Sequence, residues 1–185
     1  MTLADIRAGW RAWDHPPARA PNRRNTRFRG DDVSCRRGDF GAYFAFDPER
    51  EGDLRRLDAL INKAAPSLKR RFHKGAPAGE PGMRFKMTGY GNSFYHATTG
   101  EKVEWPFVGV ALRKNYISVY FAVTKLGAAV TDLYVGRLGE LRMGRNNFSF
   151  ERFDDLDSSR AAALFSEVAQ VFDADPDNVS ETMRG

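Results

Sequence analysis

The sequence has few of the side chains from which disulfides and transition-metal sites are built. Its one cysteine is Cys35, and its three histidines are His15, His73 and His96. A single cysteine excludes an intrachain disulfide framework and is typical of proteins from a reducing compartment. The histidines lie far apart, which excludes the paired spacing of a zinc site. We therefore expect a cytoplasmic protein with no cofactor bound through these residues.

Long apolar runs are also missing. The first residues, MTLADIRAGWRAWDHPP, contain no apolar stretch of the kind found in a secretory signal. No run approaches the roughly 20 apolar residues that a membrane helix needs. A chain of 185 residues suits one domain with an extension or at most two small units. We expect no membrane partner.

All of the net charge lies at the start of the chain. Residues 1–37 hold nine arginines and four aspartates, whereas residues 38–185 hold 20 basic and 20 acidic side chains. A basic segment of this kind can grip phosphate backbones without reading their sequence. The alternative is a solvated or partner-covered arm. The candidate nucleic-acid contacts are Arg19, Arg23, Arg24, Arg27, Arg29, Arg36 and Arg37.

The predicted domain organisation has three parts. Residues 1–38 form a basic extension, partly helical and partly disordered. Two tryptophans in its short helical segment, Trp10 and Trp13, need a cover, which either the main domain or a second copy of the chain would provide. A homodimer is one of these two alternatives. Residues 39–172 form the main domain, and residues 173–185 form a frayed tail.

Helical periodicity predicts two well-defined helices in the main domain. Residues 49–64 follow an Asp-Pro-Glu start and carry an apolar stripe. Residues 158–172 carry a second stripe and begin after a cap at Asp157 or Ser158. The pattern also predicts a short helix that begins near Phe40 and helical segments over residues 66–72 and 126–138. The two stripes consist of Leu54, Leu57, Leu60 and Ile61, and of Ala161, Leu164, Phe165, Val168 and Phe172.

Period-2 alternation predicts a sheet over residues 83–123, with turns at residues 89–92 and 99–101. A hairpin joins residues 107–112 to residues 116–123, and a last strand covers residues 147–152. The predicted fold is therefore α+β, with an antiparallel sheet of about five strands packed against helices in two layers. The hairpin assigns Val108, Val110, Leu112, Ile117, Val119, Phe121 and Val123 to the core face, and Phe107, Gly109, Ala111, Tyr116, Ser118 and Tyr120 to the second face.

Several short motifs occur in a defined order between residues 39 and 172. They are Gly89-Tyr90-Gly91, Gly100, Trp105, the strand at residues 108–112, Arg113-Lys114, Ile117-Ser118-Val119-Tyr120, Leu138-Gly139, Gly144-Arg145 and Asp154-Asp155-Leu156-Asp157. This order resembles domain-of-unknown-function family 1801, the YdhG-like domains. The resemblance implies a compact α+β domain. Its specificity lies in the order and spacing of the motifs, since no single motif is distinctive.

The resemblance also bears on function. Some YdhG-like domains are regarded as frataxin-like iron chaperones, and most have no assigned activity. The family commonly shows aromatic-His-aromatic where this chain has Ser93-Phe94-Tyr95, and Gly-Lys-Ser-Cys where it has Gly144-Arg145-Asn146-Asn147. A role that depends on that histidine, lysine or cysteine is not expected here.

Two sets of candidate site residues follow. The second face combines small residues with aromatics, which is typical either of a shallow ligand surface or of close helix packing. Iron handling would need a carboxylate cluster, because hard cations prefer oxygen ligands. One candidate cluster lies between the last strand and the last helix, and its alternative role is to end the strand and cap the helix. The ligand candidates are Tyr90, Tyr95, Trp105, Gly109, Tyr116 and Tyr120, and the metal candidates are Glu151, Asp154, Asp155 and Asp157.

No nucleophile and general base stand out as a pair in the sequence. The leading hypothesis is a non-enzymatic protein that binds a small ligand, a metal ion or a protein partner through its sheet face and nearby loops. The alternative is a nucleic-acid-associated module that uses the arginines of the N-terminal arm.

Overall fold

The computed structural model describes residues 40–76, 80, 85–96, 100–122, 124–125, 128–144 and 146–174. The predicted N-terminal extension, its seven candidate arginines and residues 175–185 of the predicted tail lie outside these residues. So do Val123, Leu126 and Gly127. The three-part domain organisation stays a prediction.

Three α-helices form where apolar residues recur at helical spacing. They are α1 (Phe40–Phe44), α2 (Glu51–Ala64) and α3 (Ser158–Ala174). Helix α2 buries Leu54, Leu57 and Ile61 on one side, as its stripe predicts. Just before it, the Asp47 carboxylate accepts a hydrogen bond from the Glu49 backbone N–H at 3.0 Å. The two long predicted helices are confirmed.

The main sheet is antiparallel. In the described part of the chain it has six strands, in the order β1-β2-β3-β4-β8-β7. This arrangement confirms the α+β class, with six strands where the sequence predicts about five. A separate two-stranded sheet pairs β5 with β6. The strands are β1 (Arg70–His73), β2 (Met87–His96), β3 (Lys102–Leu112), β4 (Ile117–Phe121), β5 (Thr124–Lys125), β6 (Ala128–Ala129), β7 (Arg142–Met143) and β8 (Asn147–Phe150).

Helices cover one face of the main sheet, which we call the helix-packed face. Phe121 of β4 stacks on Phe165 of α3 with ring centroids 6.2 Å apart. On the same face, at the β1 edge of the sheet, the rings of Tyr43 of α1 and Phe72 of β1 have centroids 5.4 Å apart. Six of the seven predicted core residues of the β3–β4 hairpin are buried there, and the seventh, Val123, is not described.

We call the opposite side of the sheet the outer face. Strand alternation and the contacts described below place there Arg71, His73, Met87, Gly89, Asn92, Phe94, Lys102, Glu104, Pro106, Gly109, Ala111, Tyr116, Ser118 and Tyr120.

Two predicted helical segments are wrong. Residues 70–73 form edge strand β1, because their backbone pairs with residues 87–90 of β2. Residues 130–134 form a short 3-10 helix. It ends at a turn in which Gly136 has φ +69°, a conformation that interrupts a right-handed helix.

The turn predicted at residues 89–92 is also wrong, because these residues lie inside β2. Gly91 has φ +66°. This conformation interrupts the alternation of side chains between the two faces of the sheet, although the chain stays within β2. Across the ladder, Phe107 and Val108 consequently both belong to the core, although neighbours in a strand normally point to opposite faces. The Phe107 ring meets Phe172 of α3 at 5.1 Å, so its predicted place on the second face is wrong.

A close backbone contact fixes the segment between the 3-10 helix and α3. Gly139 has φ +113° and pairs with Leu156 in an isolated antiparallel bridge. A Cβ atom on Gly139 would collide with the backbone oxygen of Asp155. Any other residue here would therefore suffer both a strained φ and a steric clash.

We expect Gly139→Ala to lower the free energy of unfolding by about 2 kcal/mol or more, as for other strained and overpacked sites. Urea denaturation followed by circular dichroism checks this. The control is Gly52→Ala in α2, where a new Cβ would meet nothing within 4 Å and where alanine should stabilise the helix by about 0.5–1 kcal/mol. Equal effects of the two substitutions would contradict the assignment.

Candidate functional site

The structure brings together three of the six predicted ligand residues. Gly109, Tyr116 and Tyr120 lie on the outer face of the β3–β4 hairpin. Tyr90 lies on the helix-packed face, where its hydroxyl donates to the Asp58 carboxylate of α2 at 2.7 Å. Trp105 of β3 is buried. Tyr95 lies in β2, and its side chain is outside the described part of the structure.

Neighbouring side chains pack closely around Gly109 on the outer face. A Cβ atom there would lie 2.7 Å from the Met87 sulfur and 3.2 Å from Cγ of Pro106. Tyr120 packs against Phe85, with ring centroids 5.4 Å apart. Side chains of neighbouring strands and Phe85 therefore fill the space around Gly109 and Tyr120, and no helix of the described part of the chain contributes to these contacts.

Polar groups without partners lie beside this centre. Five buried side-chain atoms of the described residues have no hydrogen-bond partner, and two of them, His73 Nε2 and Asn92 Oδ1, belong to the outer face. Unsatisfied buried polar groups are rare in folded proteins and call for an explanation such as a bound water or ligand. The other three atoms are Arg50 Nε, Thr88 Oγ1 and Asp53 Oδ2, the last of which lies 3.1 Å from Arg152 Nε in an ion pair.

Gly89 leaves room for the imidazole of His73. A Cβ atom on Gly89 would lie 2.5 Å from both Nε2 and Cδ2 of His73 and 2.7 Å from Cβ of Pro106. The absence of a side chain therefore lets the imidazole approach the backbone of β2. Asn92 stands opposite Pro106 in the β2–β3 ladder. We call His73, Gly89, Asn92 and Pro106 the His73 site.

The electrostatics of the His73 site favour an uncharged imidazole. Burial lowers the pKa of His73, Glu104 acts in the opposite direction by raising it, and Arg71 lowers it further. Arg71 and Glu104 form a loose ion pair at 3.6 Å at the rim of the site. The site therefore offers a neutral ring nitrogen and an amide oxygen as unused hydrogen-bonding groups.

Cations lie over aromatic rings elsewhere on the outer face. Lys102 Nζ is 4.0 Å from the centroid of Phe94, and Arg113 Cζ is 4.5 Å from that of Phe85. Arg142 Cζ is 5.9 Å from the ring of Tyr116. Each distance falls within the range of cation–π attraction, which extends to about 6 Å.

The four predicted metal-binding carboxylates do not converge. Glu151 pairs with Arg142 at 3.5 Å, and Asp154 pairs with Arg56 at 2.7 Å. Asp155 accepts hydrogen bonds from the backbone N–H groups of residues 151 and 152, and Asp157 accepts one from the N–H of residue 160. Arg56 holds the pKa of Asp154 below its usual range. In the described residues no three His, Cys, Asp or Glu side chains are placed to hold a metal ion.

These carboxylates therefore do not fit an iron site; they serve as caps and ion pairs, the alternative that the sequence left open. Neither His73 nor Asn92 is among the site residues that the sequence predicts. His73 stands alone in the sequence and Asn92 falls in the predicted turn, so no local signal connects them.

No protein-family model, no curated protein and no solved structure matches this chain. Of the helices in the described ranges, none combines the length and apolar character needed to cross a bilayer.

The pH dependence of stability should report the burial of His73. Its pKa in the unfolded chain is near the ordinary value of 6.5 and is lower in the folded protein. Between these two values the unfolded chain binds the extra proton, so stability falls as the pH falls below about 6.5. We expect His73→Gln to lose less stability than the parent protein between pH 7 and pH 5, as measured by urea denaturation.

The other titrating groups are common to both proteins, so the difference between the two pH profiles isolates His73. Parallel profiles would show that the imidazole is equally accessible to protons in the folded and unfolded states.

Proposed function

We propose that this protein is a binding protein whose ligand occupies the outer face of the sheet at the His73 site. The observation that carries the proposal is the pair of buried, unpartnered atoms His73 Nε2 and Asn92 Oδ1. Leaving a buried polar group unpaired costs about 1–3 kcal/mol. Ligand groups or ordered waters that pair with these atoms would recover that cost, so the site favours occupancy.

The surroundings of the two atoms support this function. Backbone and proline carbons provide a rigid floor, since Gly89 and Pro106 lie in adjacent, paired strands. Arg71 and Glu104 have exposed side chains and stand beside the site. A rigid apolar floor with a few convergent polar groups is the usual composition of a binding site.

We also propose that the chain is a YdhG-like domain. The α+β sheet and the order of the motifs across residues 39–172 support the resemblance. The iron-binding role of some YdhG-like proteins is not part of the proposal, because Asp154, Asp155 and Asp157 are occupied by local contacts.

The second candidate function is nucleic-acid association through the N-terminal arm. Its support is the sequence alone: residues 1–37 carry the whole net charge of +5. Phosphate contacts from such an arm would be independent of base sequence and sensitive to salt.

We expect small planar molecules to perturb the His73 site in NMR titrations of the isotopically labelled full-length protein. The probes are benzamide, benzoate and benzamidine, which share a ring and differ in charge. At least one should shift the imidazole resonances of His73 and the side-chain amide of Asn92, and the Asn92→Leu variant should weaken that response several-fold.

The matched control is Asn62→Leu, on the exposed side of α2, where the amide donates only to the backbone oxygen of Asp58; it should leave the response unchanged. A crystal structure in which a single buried water joins His73 and Asn92, together with no response to any probe or oligonucleotide, would contradict a binding function.

A further inference from the structure

The outer face also indicates which class of ligand it takes. We propose that it binds single-stranded nucleic acid, with bases stacked on the aromatic rings beside the strands and one base edge at the His73 site. This inference rests on the proposed function and names the ligand class of the same face. It is separate from the arm, because every residue involved lies within residues 71–142.

The outer face carries an excess of positive charge among the described residues. Four cations of this part of the chain lie on or over the face, against two carboxylates; they are Arg71, Lys102, Arg113 and Arg142, and Glu104 and Glu151. Both ion pairs are long, at 3.6 and 3.5 Å, and exposed pairs of this kind contribute little stability. Within the described residues, Lys102 and Arg113 have aromatic contacts but no ion pair. Phosphate groups can therefore bind these cations without breaking strong ion pairs.

Aromatic rings are distributed along the outer face. Phe94 lies near the far end of β2, Tyr120 with Phe85 near the centre of the sheet, and Tyr116 near the opposite end. All four residues are partly exposed. Aromatic side chains spaced along a basic sheet surface are the common platform for single strands, because every base has a face that stacks.

The His73 site lies on the same face as Phe94 and Tyr120 and is polar. Its two unused groups are a neutral imidazole nitrogen and an amide oxygen. Nucleobases are neutral and planar and carry donors and acceptors on their edges. A free carboxylate ligand would instead face the amide oxygen of Asn92 without a donor.

An acidic protein segment is the competing occupant of a basic face. It would use the four cations but would have no need of the ring faces or of the two neutral groups. The observations therefore favour a nucleic acid, and a protein partner becomes an outcome of the test.

The experiment measures fluorescence anisotropy of labelled oligo-dT and oligo-U 20-mers with the full-length protein, at several salt concentrations. We expect binding whose logarithmic salt dependence has a slope of about −2 to −3, as for three or four displaced counterions on a single strand. The substitution of Lys102→Ala together with Arg113→Ala should reduce the steepness of that slope by about 1.4.

Ring variants separate stacking from charge. Phe94→Leu should weaken binding roughly 10-fold at every salt concentration and leave the slope unchanged, because stacking involves no counterion. The control is Arg55→Ala together with Arg160→Ala, which removes two exposed cations from helices α2 and α3 and should change neither affinity nor slope.

The arm is tested in the same assay. Replacing Arg19, Arg23, Arg24 and Arg27 with glutamine in the full-length protein should leave both the slope and the effect of Phe94→Leu unchanged. If the arm variant removes all binding and the ring and cation variants of the sheet have no effect, the arm is the site and the outer-face proposal is wrong.

The ligand class and the proposed function can fail separately. If small probes shift His73 and Asn92 while oligonucleotides do not bind at low salt, the nucleic-acid inference fails and the binding function stands. If a poly-glutamate peptide competes as well as oligo-dT and Phe94→Leu has no effect, the occupant is an acidic protein segment and the inference also fails.

Discussion

The left-handed backbone at Gly91 determines which side chains of the longest hairpin reach the core. A Cβ atom there would lie 2.8 Å from Leu68, 3.1 Å from Phe107 and 3.2 Å from Phe172, so both φ and packing require glycine. The shift at Gly91 brings Phe107 under α3 and leaves Pro106 and Asn92 on the outer face. The contact between Phe107 and Phe172 and the place of Asn92 on the outer face thus depend on one residue.

Residues that share a local period could be predicted from the sequence. Helices α2 and α3 carry their own apolar stripes. The β3–β4 hairpin keeps strict alternation after residue 107, so the sequence predicts the shared face of Gly109, Tyr116 and Tyr120. The rest depends on pairing between distant segments. Edge strand β1 has a basic sequence and becomes a strand only through its ladder with β2, and His73 meets Gly89 only in that register.

The two faces of the sheet use tyrosine in different ways. On the helix-packed face, burial and the Asp58 carboxylate raise the pKa of Tyr90 well above its usual value. Asp58 also pairs with Arg70 at 2.6 Å, so one carboxylate ties α2 to both β1 and β2. Tyr43 joins α1 to the sheet in the same manner, because its hydroxyl accepts the Leu112 N–H at 2.8 Å and donates to the Lys86 carbonyl. Such satisfied networks fix one arrangement, whereas the aromatic rings of the outer face contact the cationic side chains of Lys102, Arg113 and Arg142.

Strands β2 and β3 extend beyond the neighbours that flank them. In the described ladders β1 pairs with residues 87–90 and β4 with residues 108–112, while β2 and β3 remain paired as far as His96 and Lys102. A two-stranded ribbon is only marginally stable without further strands or a helix beside it. Its hydrogen bonds should therefore open more often than those of the six-stranded region, as a local unit that leaves the core intact. Phe94, Lys102 and Glu104 belong to the far part of this ribbon, so the part of the outer face farthest from the core can adjust its spacing to an occupant while His73 and Gly89, which lie in the paired β1–β2 region, stay fixed.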